Sequence, residues 1–313
     1  MHKSLLLICI CSLIICCSND KNIVNKQNLE LIILGTAQDA GSPHIGCIKV
    51  CCKALWNNKT KRQVVSLGVV DRLAKKVWLF EATPDMPNQI QQLIKYSGFK
   101  DKLLPDGIFL THAHIGHYSG LMFLGREAIG AKSCKVYAMP KMRSYLESNG
   151  PWSQLVSLNN IKLMKLSTDS NIQLSDNISI VPFVVPHRDE FSETVGYQII
   201  SATKSLIFIP DIDKWEKWNK NIIDEVKKHD HILIDATFYQ NKEVKGRDMS
   251  EIPHPFVEES IAIFKDLPIQ KKEKIIFIHF NHSNPLLNPQ SNESKYIESQ
   301  GFKLARQLDI IPL

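Results

Sequence analysis

Three histidines fall within six residues of this chain, His112, His114 and His117. Imidazole is the commonest neutral side-chain ligand for borderline metals. Placed after a strand, His112 and His114 alternate on one face of an extended turn. His117 then begins a helix and reaches back into the same space. A catalytic metal takes about three protein ligands and keeps a position open for water. Water bound there is acidified to a pKa of about 7, which makes a hydroxide nucleophile available at neutral pH. The spacing therefore predicts a metal-dependent hydrolase acting on an ester, phosphodiester or amide.

The elements that must position such a centre are legible from the hydrophobic pattern. Apolar runs predict strands at 31–34, 108–110, 135–138, 178–185, 195–200, 206–209, 231–234 and 274–278, and a hairpin joining 66–70 to 76–80. Helical spacing covers 87–96, 121–131, 141–148, 213–228, 256–264 and 293–308. Strands interspersed with helices predict an α/β architecture, with helices covering sheet faces. Reactive side chains recur just past the strands: His112, His187, Asp211 and His279 each follow an apolar run. Strand ends are rigid and share a rim, which is where sites are assembled.

The chain has 313 residues, is 44% hydrophobic, and carries a formal net charge of +6, so one sizeable core from about Leu29 to Leu313 is expected. No basic block is interleaved with aromatics, which argues against a nucleic-acid partner and for a small-molecule substrate. Oligomeric state is left open.

The N-terminus reads as an address. Lys3 precedes an apolar stretch over 4–17, too short to span a bilayer comfortably, and a polar tether follows over 18–28. The segment resembles a lipoprotein signal with a loose lipobox at Ile14-Ile15-Cys16-Cys17. Cys17 is expected to be lipidated, with Cys16 as the alternative. A membrane-anchored lipoprotein of the bacterial cell envelope, periplasmic or surface-exposed, is the expected location. Outside that segment lie Cys47, Cys51, Cys52 and Cys134. Adjacent cysteines such as Cys51 and Cys52 rarely pair with each other, because the geometry is strained. The tight triplet beside a glycine points to a metal site, with a disulfide or free thiols as alternatives.

His112-Ala-His114-Ile-Gly116-His117 resembles the His-x-His-x-Asp-His hallmark of the metallo-β-lactamase superfamily. The likeness extends over Gly35–Gly41, over the acidic segment Phe80–Asp85, and to His187, Asp211 and His279. It implies an αββα four-layer sandwich with metal at one edge of its two sheets. His112, His114, His117, His187, Asp211 and His279 would hold one or two catalytic metals: zinc, with manganese or iron as alternatives. Gly116 stands where the family has a metal-binding aspartate, so the second site is expected to lose a ligand. That leaves Asp211 as the candidate general base. His254 is a possible helper, although a surface turn is the favoured reading.

A branch of the superfamily that includes coenzyme PQQ synthesis protein B-like proteins carries a glycine-cysteine cluster near its N-terminus. That likeness implies a structural zinc on Cys47, Cys51, Cys52 and His282, with His44 as a substitute for Cys51. It also raises an oxidative enzyme as the alternative to a hydrolase. Gly116 raises a further one, a non-catalytic binding protein. Asp189 and Glu190 are read mainly as turn charges rather than as partners of His187. Tyr118 and Tyr239 are considered as donors to a substrate oxyanion, and Trp215 and Trp218 as packing residues of a helix.

Overall fold

The computed structural model describes residues 28–57, 61–244, 246, 248–249 and 252–313. The expected signal segment 1–17 with Cys17, and the expected tether up to residue 27, lie outside the described residues.

Strands whose residues are apolar on both faces must be covered on both faces, and that requirement organises the molecule. In β1 (Leu29–Gly35), Leu29, Leu31 and Ile33 point one way while Ile32 and Leu34 point the other. β3 (Lys76–Phe80) splits in the same way, with Trp78 and Phe80 against Val77 and Leu79. β10 (Ser205–Ile209) sends Leu206 and Phe208 inward and Ile207 and Ile209 outward. The period of two thus builds three apolar layers.

Two seven-stranded sheets carry them. The first adds β2 (Ser66–Asp71), β4 (Gly107–Phe109), β5 (Cys134–Ala138), β6 (Ile161–Lys165) and β14 (Ile310–Pro312), in the order β14-β1-β2-β3-β4-β5-β6. The second holds β7 (Ile172–Ser175), β8 (Ile178–Val184), β9 (Val195–Ser201), β11 (His231–Asp235), β12 (Ile275–Ile278) and β13 (Lys303–Leu304), in the order β13-β12-β11-β10-β9-β8-β7.

The inner layer lies between the sheets. Helices α2 (Met86–Ser97), α4 (Pro140–Ser148) and α5 (Trp152–Ser157) cover the outer face of the first sheet. Helices α6 (Ile222–Lys228), α7 (Val257–Phe264) and α9 (Asn292–Ser299) cover that of the second. This is the αββα sandwich expected from the sequence. Two shorter helices matter to the site, α1 (Val50–Trp56) and α3 (Ile115–Tyr118), and a one-turn α8 (Ile269–Lys272) precedes β12.

Strand direction fixes where the site forms. β10, β11 and β12 are mutually parallel, and so are β3 and β4. Two antiparallel steps, through β2 and through β9, bring the ends of β1 and β8 to the same rim. The segments after β1, β3, β4, β8, β10, β11 and β12 therefore all emerge on one edge.

Three helices read from the sequence are shorter than expected. The 121–131 stretch is a 3-10 helix over Ser119–Leu124 that ends at Gly125. The 213–228 stretch is a 3-10 turn, Trp215–Lys217, and then α6, restarted by an Asn221 side chain that accepts from Ile223 N. The 293–308 stretch stops at Ser299, because Gly301 at φ +91° reverses the chain into β13.

Candidate metal centre

Asp211 follows β10 and is almost wholly buried. Four imidazoles point their Nε2 atoms at it: His117 at 2.9 Å, His279 at 3.3 Å, His112 at 3.6 Å and His187 at 3.8 Å. His254 Nδ1 adds a fifth approach at 3.3 Å. Nε2 of His112, His187 and His279 is buried without a hydrogen-bond partner in protein. Buried polar atoms are normally satisfied, and several orphans aimed at one point call for an ion.

Asp211 groups with His112 and His117, and with Asp235, His254 and His279, and two further groups of three flank it. One is His112, His114 and His187; the other is His117, His279 and Asp39. The structure thus brings together His112, His114, His117, His187, Asp211 and His279, all six named from the sequence. The donor set fits a metal.

Second interactions fix the rings. Thr111 Oγ1 meets His112 Nδ1 at 2.8 Å. Thr237 Oγ1 donates to Asp235 Oδ1 at 2.7 Å and meets His279 Nδ1 at 2.8 Å. A hydroxyl has one proton, so with that proton on Asp235 it accepts from His279 Nδ1–H. The lone pair of His279 then faces the centre through Nε2. Glu81, just past β3 and fully buried, lies 3.5 Å from His117 Nδ1. Glu81 at φ +75° and His279 at φ +67° both hold left-handed backbone, which non-glycine residues adopt at a cost and which concentrates at functional sites. The loop carrying His187 is tied to the His-x-His turn by Ala113 N donating to Ser192 Oγ at 2.8 Å.

Electrostatics match ligand roles. Burial pushes His112 well below the usual histidine range, reinforced by His117, and pushes His187 down to about 4. Both rings are therefore neutral and able to donate a lone pair. Burial also opposes charge on His117, yet Glu81, Asp211 and Asp39 around it raise it well above the usual value. That pocket is built to hold positive charge. Asp211 is held well below the carboxylate range: burial works against ionisation, but His279 and His117 outweigh it. The imidazoles around it give Asp211 the surroundings of a metal ligand, one of the two roles expected of it from the sequence.

Two residues were missed or misjudged. His254 is not a surface turn histidine: it is 4% exposed, and its Nδ1 lies 2.7 Å from Asp235 Oδ2. Burial disfavours its charged form, but Asp235 and then Asp211 raise its pKa overall. Asp235 accepts from Thr237 N, Thr237 Oγ1, Ile212 N and His254, which uses its lone pairs. It anchors His254 rather than adding a metal ligand. The other residue is Asp39, whose Oδ1 lies 3.2 Å from His117 Nε2. It lies four residues beyond the end of β1, past the position where an apolar run marked the other ligands.

The lesser candidates fall away. Glu190 faces His114 at 3.6 Å and is exposed, so it does not orient His187. Tyr118 is buried, with its hydroxyl on that of Tyr145 at 2.7 Å. Tyr239 packs at the rim of the second sheet's outer core. Trp215 and Trp218 are packing residues as read, outside any continuous helix.

A second cluster adjoins the centre. Cys47 Sγ and Cys51 Sγ are 3.8 Å apart, and His282 Nδ1 lies 3.7 Å from Cys51 Sγ and 3.5 Å from Cys52 Sγ. All four cysteines outside the N-terminal segment are free thiols. Sulfurs at that spacing are not bonded to each other, since a disulfide is about 2.05 Å long. The separation suits two ligands of one tetrahedral metal with bonds of about 2.3 Å. His44 does not replace Cys51: its Nδ1 pairs with Ile45 O, and its backbone N–H donates to Cys52 Sγ at 3.4 Å. Cys134 is a buried core thiol pushed up to about 12 by burial.

The family model for the beta-lactamase superfamily domain matches residues 78–280. The chain belongs to the metallo-β-lactamase superfamily. Within it the chain is similar to coenzyme PQQ synthesis protein B. It is 24% identical to coenzyme PQQ synthesis protein B of Methylorubrum populi, over 88% of this chain and 97% of that protein. The solved structure of Zn(2+)-bound PqqB from Methylobacterium extorquens superimposes with a TM-score of 0.75 at 22% identity, covering 91% of this chain and all of that one. A diphosphatase from the PhnP family gives a TM-score of 0.60 at 21% identity, covering 91% and 97% of the two chains.

Proposed function

We propose that this metallo-β-lactamase superfamily member is a zinc-dependent hydrolase of an ester or phosphodiester. The observation that supports it most is the buried Asp211, ringed by orphaned imidazole nitrogens and faced by the Asp235–His254 pair. His112, His114 and His187 would hold one metal, His117 and His279 a second, and Asp211 would reach both. A metal held there supplies Lewis acidity toward a substrate oxygen and acidifies bound water. The protein's own part is positional. Thr111, Thr237 and Glu81 aim the rings, and the strand ends hold them rigidly. His254 Nδ1 is committed to Asp235, so a proton it passes to a leaving group leaves through Nε2. A structural zinc on Cys47, Cys51, Cys52 and His282 would steady the neighbouring loops.

The test is turnover of bis(p-nitrophenyl) phosphate and p-nitrophenyl acetate by zinc-loaded protein, with His112→Ala in parallel. Release of p-nitrophenol that His112→Ala abolishes supports the reading. Oxygen uptake by an iron-loaded sample with no hydrolysis would replace it with the oxidative alternative. We also propose that the domain works tethered to the cell envelope through Cys17, as the apolar run and lipobox suggest. Labelled palmitate incorporation should then be lost in Cys17→Ala.

A further inference from the structure

The carboxylate that position 116 lacks is present in space, supplied from a different strand end. A side chain's first carbon built on Gly116 would lie 2.5 Å from Asp39 Cα, and closer still to Asp39 Oδ1. Only glycine lets the backbone at residue 39 sit there. Asp39 fills the space and turns Oδ1 toward His117, 3.2 Å from its Nε2. That oxygen is buried and has no hydrogen-bond partner. It groups with His117 and His279 at the spacing of ligands to a single ion.

The loop is not there by chance of packing. Gln38 N donates to Phe280 O and Phe280 N donates to Thr36 O, both at 2.8 Å. The chain at residues 36–38 is thereby stitched to the residue that follows His279. Gly41 N donates to Gln38 O at 2.7 Å, closing a turn around Asp39. The loop that carries the carboxylate and the strand end that carries the imidazole are held as one unit.

We infer that Asp39 is a ligand of the second metal, together with His117, His279 and Asp211, so that the glycine at 116 relocates a ligand rather than deleting one. The inference rests on the histidine centre binding metal at all, as proposed above. It predicts two metals in that centre, where a missing ligand alone would predict one.

The experiment is metal content by plasma mass spectrometry, with zinc affinity by competition against a chromophoric chelator. Full-length protein would be compared with Asp39→Ala, Asp39→Asn and the pair His112→Ala, His114→Ala. Asp39→Asn keeps the size and a hydrogen-bonding oxygen but removes the charge. If Asp39 only packed on Gly116 or steadied His117, the asparagine variant would bind zinc as the wild type does. The expected result is that both Asp39 variants lose one equivalent, or bind it more than about 100-fold more weakly, beyond the range usual for an outer partner. The equivalent lost in the histidine pair should be a different one. Wild-type stoichiometry and affinity in Asp39→Asn would overturn the inference while leaving the metal centre intact. A wild-type protein whose zinc is unaffected by the histidine pair would instead bring down the reading on which the inference rests.

Discussion

His254 Nδ1 lies 2.7 Å from Asp235 Oδ2, and the same ring approaches Asp211 Oδ1 at 3.3 Å. Both contacts are made by Nδ1, so in the proposed reaction Nε2 is the nitrogen left to pass a proton. His254→Gln should therefore lower kcat by about 10²–10⁴ with little change in KM or in metal content. Substrates with better leaving groups should suffer less. An equal loss for all leaving groups would assign His254 to structure instead.

Glu81 combines a left-handed backbone with a carboxylate behind His117. The two features separate by substitution. Glu81→Ala keeps the backbone cost, while Glu81→Gly relieves it by roughly 1–2 kcal/mol. Both remove the partner of His117, and should weaken the second metal by about 10–100-fold. Thermal melts of the zinc-free proteins should rank glycine above alanine, and zinc titration should not distinguish them. Equal melts would show that the backbone conformation carries no cost here.

A clip between the sheets, at the end remote from the metal centre, contributes to the acid response. Asp71 accepts from Ala74 N, Ser175 Oγ and Asn177 Nδ2. Burial works against its ionisation, but these hydrogen bonds hold its pKa below the usual carboxylate value. A folded pKa below the unfolded one means stability that is fully present above about pH 4 and lost as pH falls through the folded value. Asp71→Asn should cost about 1–3 kcal/mol at pH 7 and progressively less below pH 4. Urea denaturation across that range measures it. A cost independent of pH would mean that the charge is not what the clip uses.

Metal should also be folding energy. With zinc at about a thousand times its Kd, binding adds roughly 4 kcal/mol per site, so chelation should lower Tm by about 8 °C or more at 2 °C per kcal/mol. Cys52→Ser should release one equivalent and give part of that loss. A chelator-insensitive Tm would show that the buried rings satisfy each other without an ion.

The sequence made most of the centre readable, because the signal was local. Three histidines in one turn, and an apolar run before each later ligand, mark a rim of parallel strand ends. The short edge strands β6, β7, β13 and β14 were unreadable because they are brief, two to five residues each, too few for an alternation such as that of β7 to stand out. Helix α1 was hidden under its cysteines, which drew a reading of chemistry rather than of conformation. Asp39 was hidden for another reason. Its partner in space, Gly116, is informative only as an absence, and nothing in the spacing between 39 and 116 says that the two meet. His254 sits between prolines, which reads as a turn, and burial cannot be seen from a turn alone.

The loop from Asp39 to Cys47 and the turn from His279 to His282 each begin at the histidine centre and end at the thiol cluster. Both connections are short, so the two clusters share a chassis. A change of length in either link would misalign both at once, and oxidation of the thiols would be felt at the histidine centre as lost geometry. In an oxidising compartment, the cysteines are the fuse of the circuit: the part whose failure shuts the rest down.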